Sequence, residues 1–95
     1  MAAGADAELE VRRRKLRFRA WHRGMREVDL IMGRFADSEI ARFTAAELAE
    51  FERLLEVPDH ELLAWVTGEA EVPPGVATEL FRRLRDFNNG GWASQ

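Results

Sequence analysis

Residues 44–55 read Thr-Ala-Ala-Glu-Leu-Ala-Glu-Phe-Glu-Arg-Leu-Leu, and this stretch decides the fold class. Thr44 stands three residues before Glu47, the spacing of a capping box. The Thr hydroxyl and the Glu carboxylate can each take one of the amide N–H groups that the first helical turn leaves without a partner. Beyond it, Leu48, Phe51, Leu54 and Leu55 recur at intervals of three and four, which places them on one face of a helix. A helix with one apolar face and no strand partner nearby needs other helices to cover it.

Outward toward the N-terminus, Val28, Ile31, Met32 and Phe35 repeat the same period, and Ile40 and Phe43 carry the face onward. The pattern predicts a helix reaching about Arg42. Gly33 lies inside it, at a cost of about 1 kcal/mol relative to Ala. Gly24 separates this helix from Leu9–His22, a basic stretch with Leu9, Leu16, Phe18, Ala20 and Trp21 interleaved. That stretch reads as a helix whose first turns fray, because Arg12, Arg13, Arg14 and Lys15 repel one another.

Outward toward the C-terminus, Pro58 opens a short helix with Asp59 and Glu61 in its first turn, where carboxylates suit the positive end of the dipole. Leu62, Leu63, Trp65 and Val66 are its apolar residues, and Gly68 suits a left-handed C-terminal cap. Trp65 reads as a core ring. Pro73-Pro74-Gly75 makes a rigid turn. A fifth helix is expected to follow with Val76, Ala77, Leu80, Phe81, Leu84 and Phe87 inward, until Asn88-Asn89-Gly90-Gly91 stops it. The expected architecture is all-α, a compact bundle of about five short helices. One domain spans residues 9–88, between a flexible start at 1–8 and a flexible tail at 89–95 that carries Trp92.

Composition narrows the chemistry. The 95 residues hold no cysteine, which rules out disulfides and thiolate sites. No apolar run approaches the roughly 20 residues that cross a bilayer. Residues 1–8 lack both an apolar core and an Arg/Ser-rich amphipathic pattern, so a cytoplasmic protein without a leader is expected. The hydroxyls of Ser38, Thr44, Thr67, Thr78 and Ser94 fall mostly at caps or ends, and His22 and His60 lie far apart, outside any metal-spacing motif. No Gly-rich phosphate loop occurs. A non-catalytic protein without a metal or a tightly bound cofactor is expected.

Charge is divided unevenly. Residues 10–27 carry eight Arg/Lys against two Glu, whereas residues 28–95 carry six basic against thirteen acidic side chains. Such polarity steers an oriented encounter with an acidic surface, protein or nucleic acid. A small nucleic-acid-binding module using residues 12–26, with Phe18 and Trp21, is the alternative reading. The overall net charge of −3 counts against it.

Residues 19–29, Arg-Ala-Trp-His-Arg-Gly-Met-Arg-Glu-Val-Asp, are the segment that folding does not account for. Gly24 gives a turn and, lacking a side chain, admits another backbone closely. Glu27, in the first turn of the next helix, is placed to cap its amides. Arg23 precedes Glu27 by four, the poorer order for a helical ion pair, which leaves Arg23 for a carboxylate or carbonyl of a partner. On that reading Arg23→Ala, Gly24→Arg and Glu27→Ala leave the fold intact and weaken binding. Trp21 fits either a core ring or an interface anchor. Asp59 fits a helix-terminal carboxylate or a contact.

Arg23-Gly24-Met25-Arg26-Glu27 resembles the RGxxE motif of the SdhE family, the small assembly factors called flavinators of succinate dehydrogenase. Asp29 follows as in the family's RGxxELD form, with Val28 in place of Leu. Leu54-Leu55-Glu56, then Asp59, then Leu62 or Leu63 before Trp65, resembles its second conserved stretch. The likeness covers about Leu16 to Phe87, and His22 stands where many members carry a second Arg. The resemblance implies a five-helix bundle, monomeric when free, that binds the flavoprotein subunit of succinate dehydrogenase and often that of fumarate reductase. It further implies promotion of covalent FAD attachment to that subunit, with FAD belonging to the client. Arg23, Gly24 and Glu27 would lie at the contact surface with Arg26 and Asp29 beside them, and Trp21, His22 and Asp59 around them.

Overall fold

The computed structural model describes residues 2–91, with no strand among them. Five α-helices follow in order: α1 (Ala2–Trp21), α2 (Arg26–Glu39), α3 (Ala45–Leu55), α4 (Asp59–Thr67) and α5 (Glu79–Asp86). A 3₁₀ turn, Ile40–Arg42, continues α2, and a π turn, Phe87–Gly91, closes α5. The expected bundle is therefore present. Its last tail residues, including Trp92 and Ser94, lie outside the described residues. No described helix is long and apolar enough to cross a membrane.

The core forms where the apolar faces of α2 and α3 meet the shorter helices. Val28, Ile31, Met32, Phe35 and Ala36 of α2 pack with Leu48, Phe51, Leu54 and Leu55 of α3. Leu62 and Val66 close it from α4, and Leu80, Phe81 and Leu84 from α5. Phe35 sits at the centre of an aromatic cluster, with ring centroids 5.9 Å from Phe43, 6.2 Å from Phe51 and 5.7 Å from Phe87. Trp65 is half-buried against this core.

Local signals hold where their partners are local. Thr44 Oγ1 accepts from the Glu47 N–H at 3.1 Å, and the Glu47 carboxylate accepts from the Thr44 N–H at 2.9 Å. Gly68 takes a positive φ of 85° after α4. The fifth helix departs from expectation: Val76 and Ala77 are not its first turn. Their N–H groups go to the Pro73 carbonyl, and the helix starts after Thr78, whose hydroxyl accepts from the Phe81 N–H at 3.2 Å. A better cap three residues later wins over apolar spacing alone.

α1 is held by charge as much as by burial. Among its described side chains Leu16 and Ala20 alone are buried, with Leu9 half-buried against the core. Arg13 reaches back to the carbonyls of Ile40 (3.1 Å) and Phe43 (2.9 Å), placing a cation at the negative end of α2. Arg19 pairs with Glu56 at 2.7 Å, and Arg12 and Arg19 both lie near Glu52. Like-charge repulsion along α1 is thus offset by carboxylates of α3.

Arg83 of α5 bridges Glu47 (2.8 Å) and Glu39 (2.9 Å), joining α5 to the start of α3 and the end of α2. The Glu47 carboxyl consequently titrates below its ordinary 4.5: the Thr44 amide lowers it most, Arg83 helps, and partial desolvation opposes. A carboxylate depressed in the folded state adds stability above the unfolded pKa and loses it as pH falls through the folded one. Acid unfolding is therefore expected to steepen below pH 4.5, and Glu47→Gln to flatten that limb. Thermal melts between pH 3 and 7 check this; parallel curves for the two proteins would refute it.

Candidate functional site

The turn between α1 and α2, residues 22–25, is built around Gly24, whose φ of 118° is one that L side chains rarely adopt. A Cβ at Gly24 would meet nothing within 4 Å, so the glycine answers a backbone requirement and its open side faces outward. Asp29 closes the turn from α2. One of its oxygens accepts from the Arg23 N–H at 2.8 Å and the Gly24 N–H at 3.3 Å. Glu27 does not serve as the expected cap. Its side chain is exposed and pairs with no described residue.

Arg23 is occupied from within. Its Nε donates to Asp59 Oδ1 at 2.6 Å, Nη1 donates to the Leu55 carbonyl at 2.5 Å, and Nη2 donates to the Val57 carbonyl. The side chain is only 9% exposed and that of Asp59 21%. The guanidinium thus sits against the last carbonyl of α3, the Val57 carbonyl of the link and the first residue of α4, tying the turn to the α3–α4 corner. The expectation that Arg23 is left for an outside carboxylate is corrected here, and with it the expectation that Arg23→Ala leaves the fold intact. The fork of a guanidinium matches two carbonyls and a carboxylate, and the corner supplies all three. Asp59 is likewise a structural ion-pair partner as well as a helix-terminal carboxylate.

Trp21 lies flat on α2. A methyl group added at Gly33 would lie 2.2 Å from its Cδ2 and 2.4 Å from its Cε2, so Gly33 is where the indole rests on the helix backbone. The indole N–H donates to Asp37 at 3.3 Å. Gly33, read from sequence as a weak point, is the seat of this ring.

His22 is exposed, with its imidazole stacked on Phe18 at 4.0 Å between centroids and 18° between planes. Nδ1 lies 2.7 Å from the Phe18 carbonyl. A carbonyl only accepts, so Nδ1 carries the proton and Nε2 points away. Phe18 was not among the site residues expected from the motif. Its one sequence signal is an aromatic on the charged side of a basic helix.

The site therefore divides. Arg23, Asp29 and Asp59 hold the turn from inside, Trp21 pins the end of α1, and Gly24, Arg26, Glu27 and His22 face solvent. The basic segment is no continuous cationic track: Arg12, Arg13, Arg19 and Arg23 are engaged by carboxylates or carbonyls of the chain itself. That arrangement does not favour the nucleic-acid reading.

Comparison with known proteins identifies the family. The family described as "Flavinator of succinate dehydrogenase" matches residues 14–88. The chain is 42% identical over 80 residues to the FAD assembly factor SdhE of Acetobacter pasteurianus, a match covering 84% of this chain and 73% of that protein. It is 37% identical over 79 residues to the mitochondrial succinate dehydrogenase assembly factor 2 of Dictyostelium discoideum, covering 83% of this chain and 56% of the relative. With the protein of that name from Scheffersomyces stipitis it shares 39% over 66 residues, 70% of this chain and 44% of the relative. The chain thus spans about half the length of these mitochondrial relatives. No solved structure matches.

Proposed function

The chain belongs to the flavinator of succinate dehydrogenase family, and on that footing we propose that it is a non-catalytic assembly factor for that enzyme. It docks on the flavoprotein subunit and promotes covalent attachment of FAD to it. The observation that carries this reading is the exposed Gly24–Glu27 surface: a glycine turn braced from inside by Arg23 and Asp29, with unpaired Arg26 and Glu27 held outward. Nothing in the packing of the bundle requires those two side chains.

A braced turn is suited to recognition because its conformation is set before the partner arrives, so little ordering entropy is lost on docking. Docking that favours the attachment-competent conformation of the flavoprotein raises its population by the difference in affinity between conformations. The bond-forming chemistry then belongs to the flavoprotein and its FAD. Gly24 gives the partner backbone access, Glu27 and Arg26 offer one charge of each sign, and the positive residues of α1 steer the approach. The proposed site of action is the cytoplasm, and the fumarate reductase flavoprotein is proposed as a second client.

The test is direct. The flavoprotein subunit is produced with and without this chain, and covalent flavin is read by in-gel fluorescence. Fluorescence is expected to rise when the chain is present, and Glu27→Lys is expected to weaken binding by about tenfold or more while its melting temperature falls only by the few degrees that a cation in the first turn of α2 costs. Flavin attachment that is equal in both strains would retire the proposal.

A further inference from the structure

Among the described residues the large apolar side chains left exposed are Val11 (39%) and Phe18 (63%), both on α1. They are seven apart, two turns of one face. Phe18 differs from an ordinary exposed residue in being held: the His22 ring stacks on it, and His22 Nδ1 is tethered to the Phe18 carbonyl. The result is a fixed two-ring ridge, two residues before Gly24. A shallow groove on one side is lined by Arg14, Arg17 and Trp21, and one on the other by Arg19, Arg23 and Leu55. Arg14 is exposed and pairs with no described residue, while Arg17 forms an ion pair with Asp37 at 3.3 Å, both side chains about half exposed.

We infer that the Phe18–His22 ridge is the apolar anchor of the docking surface, and that it seats in a slot of the flavoprotein subunit with an apolar floor and carboxylates along its rim. This rests on the function proposed above and names the chemistry of the partner's side. Three features select that occupant over others. The ridge is continuous with the Gly24–Glu27 surface. Its rim carries the unpaired cation of Arg14, which matches a carboxylate and repels another basic helix. Its aromatic face is already immobilised, so burying it loses little rotamer freedom, as in aromatic hot spots surrounded by weaker polar contacts.

The experiment measures binding of the purified flavoprotein subunit to the wild type, Phe18→Ala, Arg14→Glu and Glu27→Lys at two salt concentrations. Phe18 is exposed, so the alanine variant is expected to melt like the wild type. Its affinity is expected to fall at least tenfold, by the same factor at both salts. Arg14→Glu is expected to lose more at low salt than at high. If Phe18→Ala binds as the wild type does while Glu27→Lys is impaired, the anchor is overturned and the assembly role stands. If the wild type does not bind, both are overturned. Sedimentation of the free chain reads the competing occupant: a dimer that Phe18→Ala dissolves would assign the ridge to a second copy and overturn the inference.

Discussion

Replacing Arg23 by Ala is expected to lower the unfolding free energy by about 3 kcal/mol, and the melting temperature by roughly 12–24 °C. The guanidinium makes three charge-assisted hydrogen bonds in a largely covered site. Its removal leaves the Leu55 and Val57 carbonyls without that donor and Asp59 without its counter-charge. Breaking a buried pair from one side costs more than the pair itself contributes, because the remaining group stays desolvated. Asp59 is about a fifth exposed, so water recovers part of the loss and the estimate sits at the low end of the buried range. Arg23→Lys is expected to recover less than half, since an ammonium cannot reach three acceptors in fork geometry. Urea titration of the three proteins decides it: a loss under 1 kcal/mol for Arg23→Ala would mean that water, not Arg23, satisfies that corner.

This changes how loss of binding in an Arg23 variant is read. A domain of this size has about 5–15 kcal/mol of stability to begin with. An Arg23→Ala protein that fails to bind has lost the brace of its turn, whatever contact it also lost. Glu27 is the cleaner probe, because its side chain is exposed and pairs with nothing else described in the chain. Arg23 and Glu27 read as a pair in the motif but act on opposite sides of the same turn.

What was legible in the sequence was short-range. Thr44 and Glu47 name each other three residues apart, Gly68 ends α4 where its flanks demand a left-handed residue, and the α2 and α3 faces repeat within one helix each. The ends of elements were less legible where a cap competed with apolar spacing, as Thr78 did with Val76 and Ala77. The roles of Arg23 and Arg83 were not legible. The acceptors of Arg23 lie 32 to 36 residues away, and those of Arg83 lie 36 and 44 away, so no local pattern marks them. The motif marked the right segment, and the division of labour within it emerged only once the α3–α4 corner was brought alongside.

Gly33→Ala is expected to destabilise the domain, against the sign that helix propensity gives. In an unobstructed helix interior the substitution stabilises by about 1 kcal/mol. Here the new methyl group would fall 2.2–2.7 Å from three carbons of the Trp21 ring, and no adjustment of a few tenths of an ångström relieves that. The indole must leave α2, giving up its half-buried face and the hydrogen bond to Asp37. That loss is about 2–4 kcal/mol, so the net effect is a destabilisation of about 1–3 kcal/mol. The opposition of the two terms supplies an internal control. In a Trp21→Ala background the obstruction is gone, and Gly33→Ala is expected to reverse sign and stabilise by up to about 1 kcal/mol. The coupling energy of the cycle is then on the order of 2–4 kcal/mol, far above the few tenths expected of independent sites. Because Trp21 ends α1 two residues before Arg23, the Gly33→Ala protein is also expected to bind the flavoprotein subunit more weakly, with Glu27 untouched. Additive single and double variants in denaturant melts would show that the indole does not need the bare backbone at Gly33, and the turn would then have to be positioned by Arg23 and Asp29 alone.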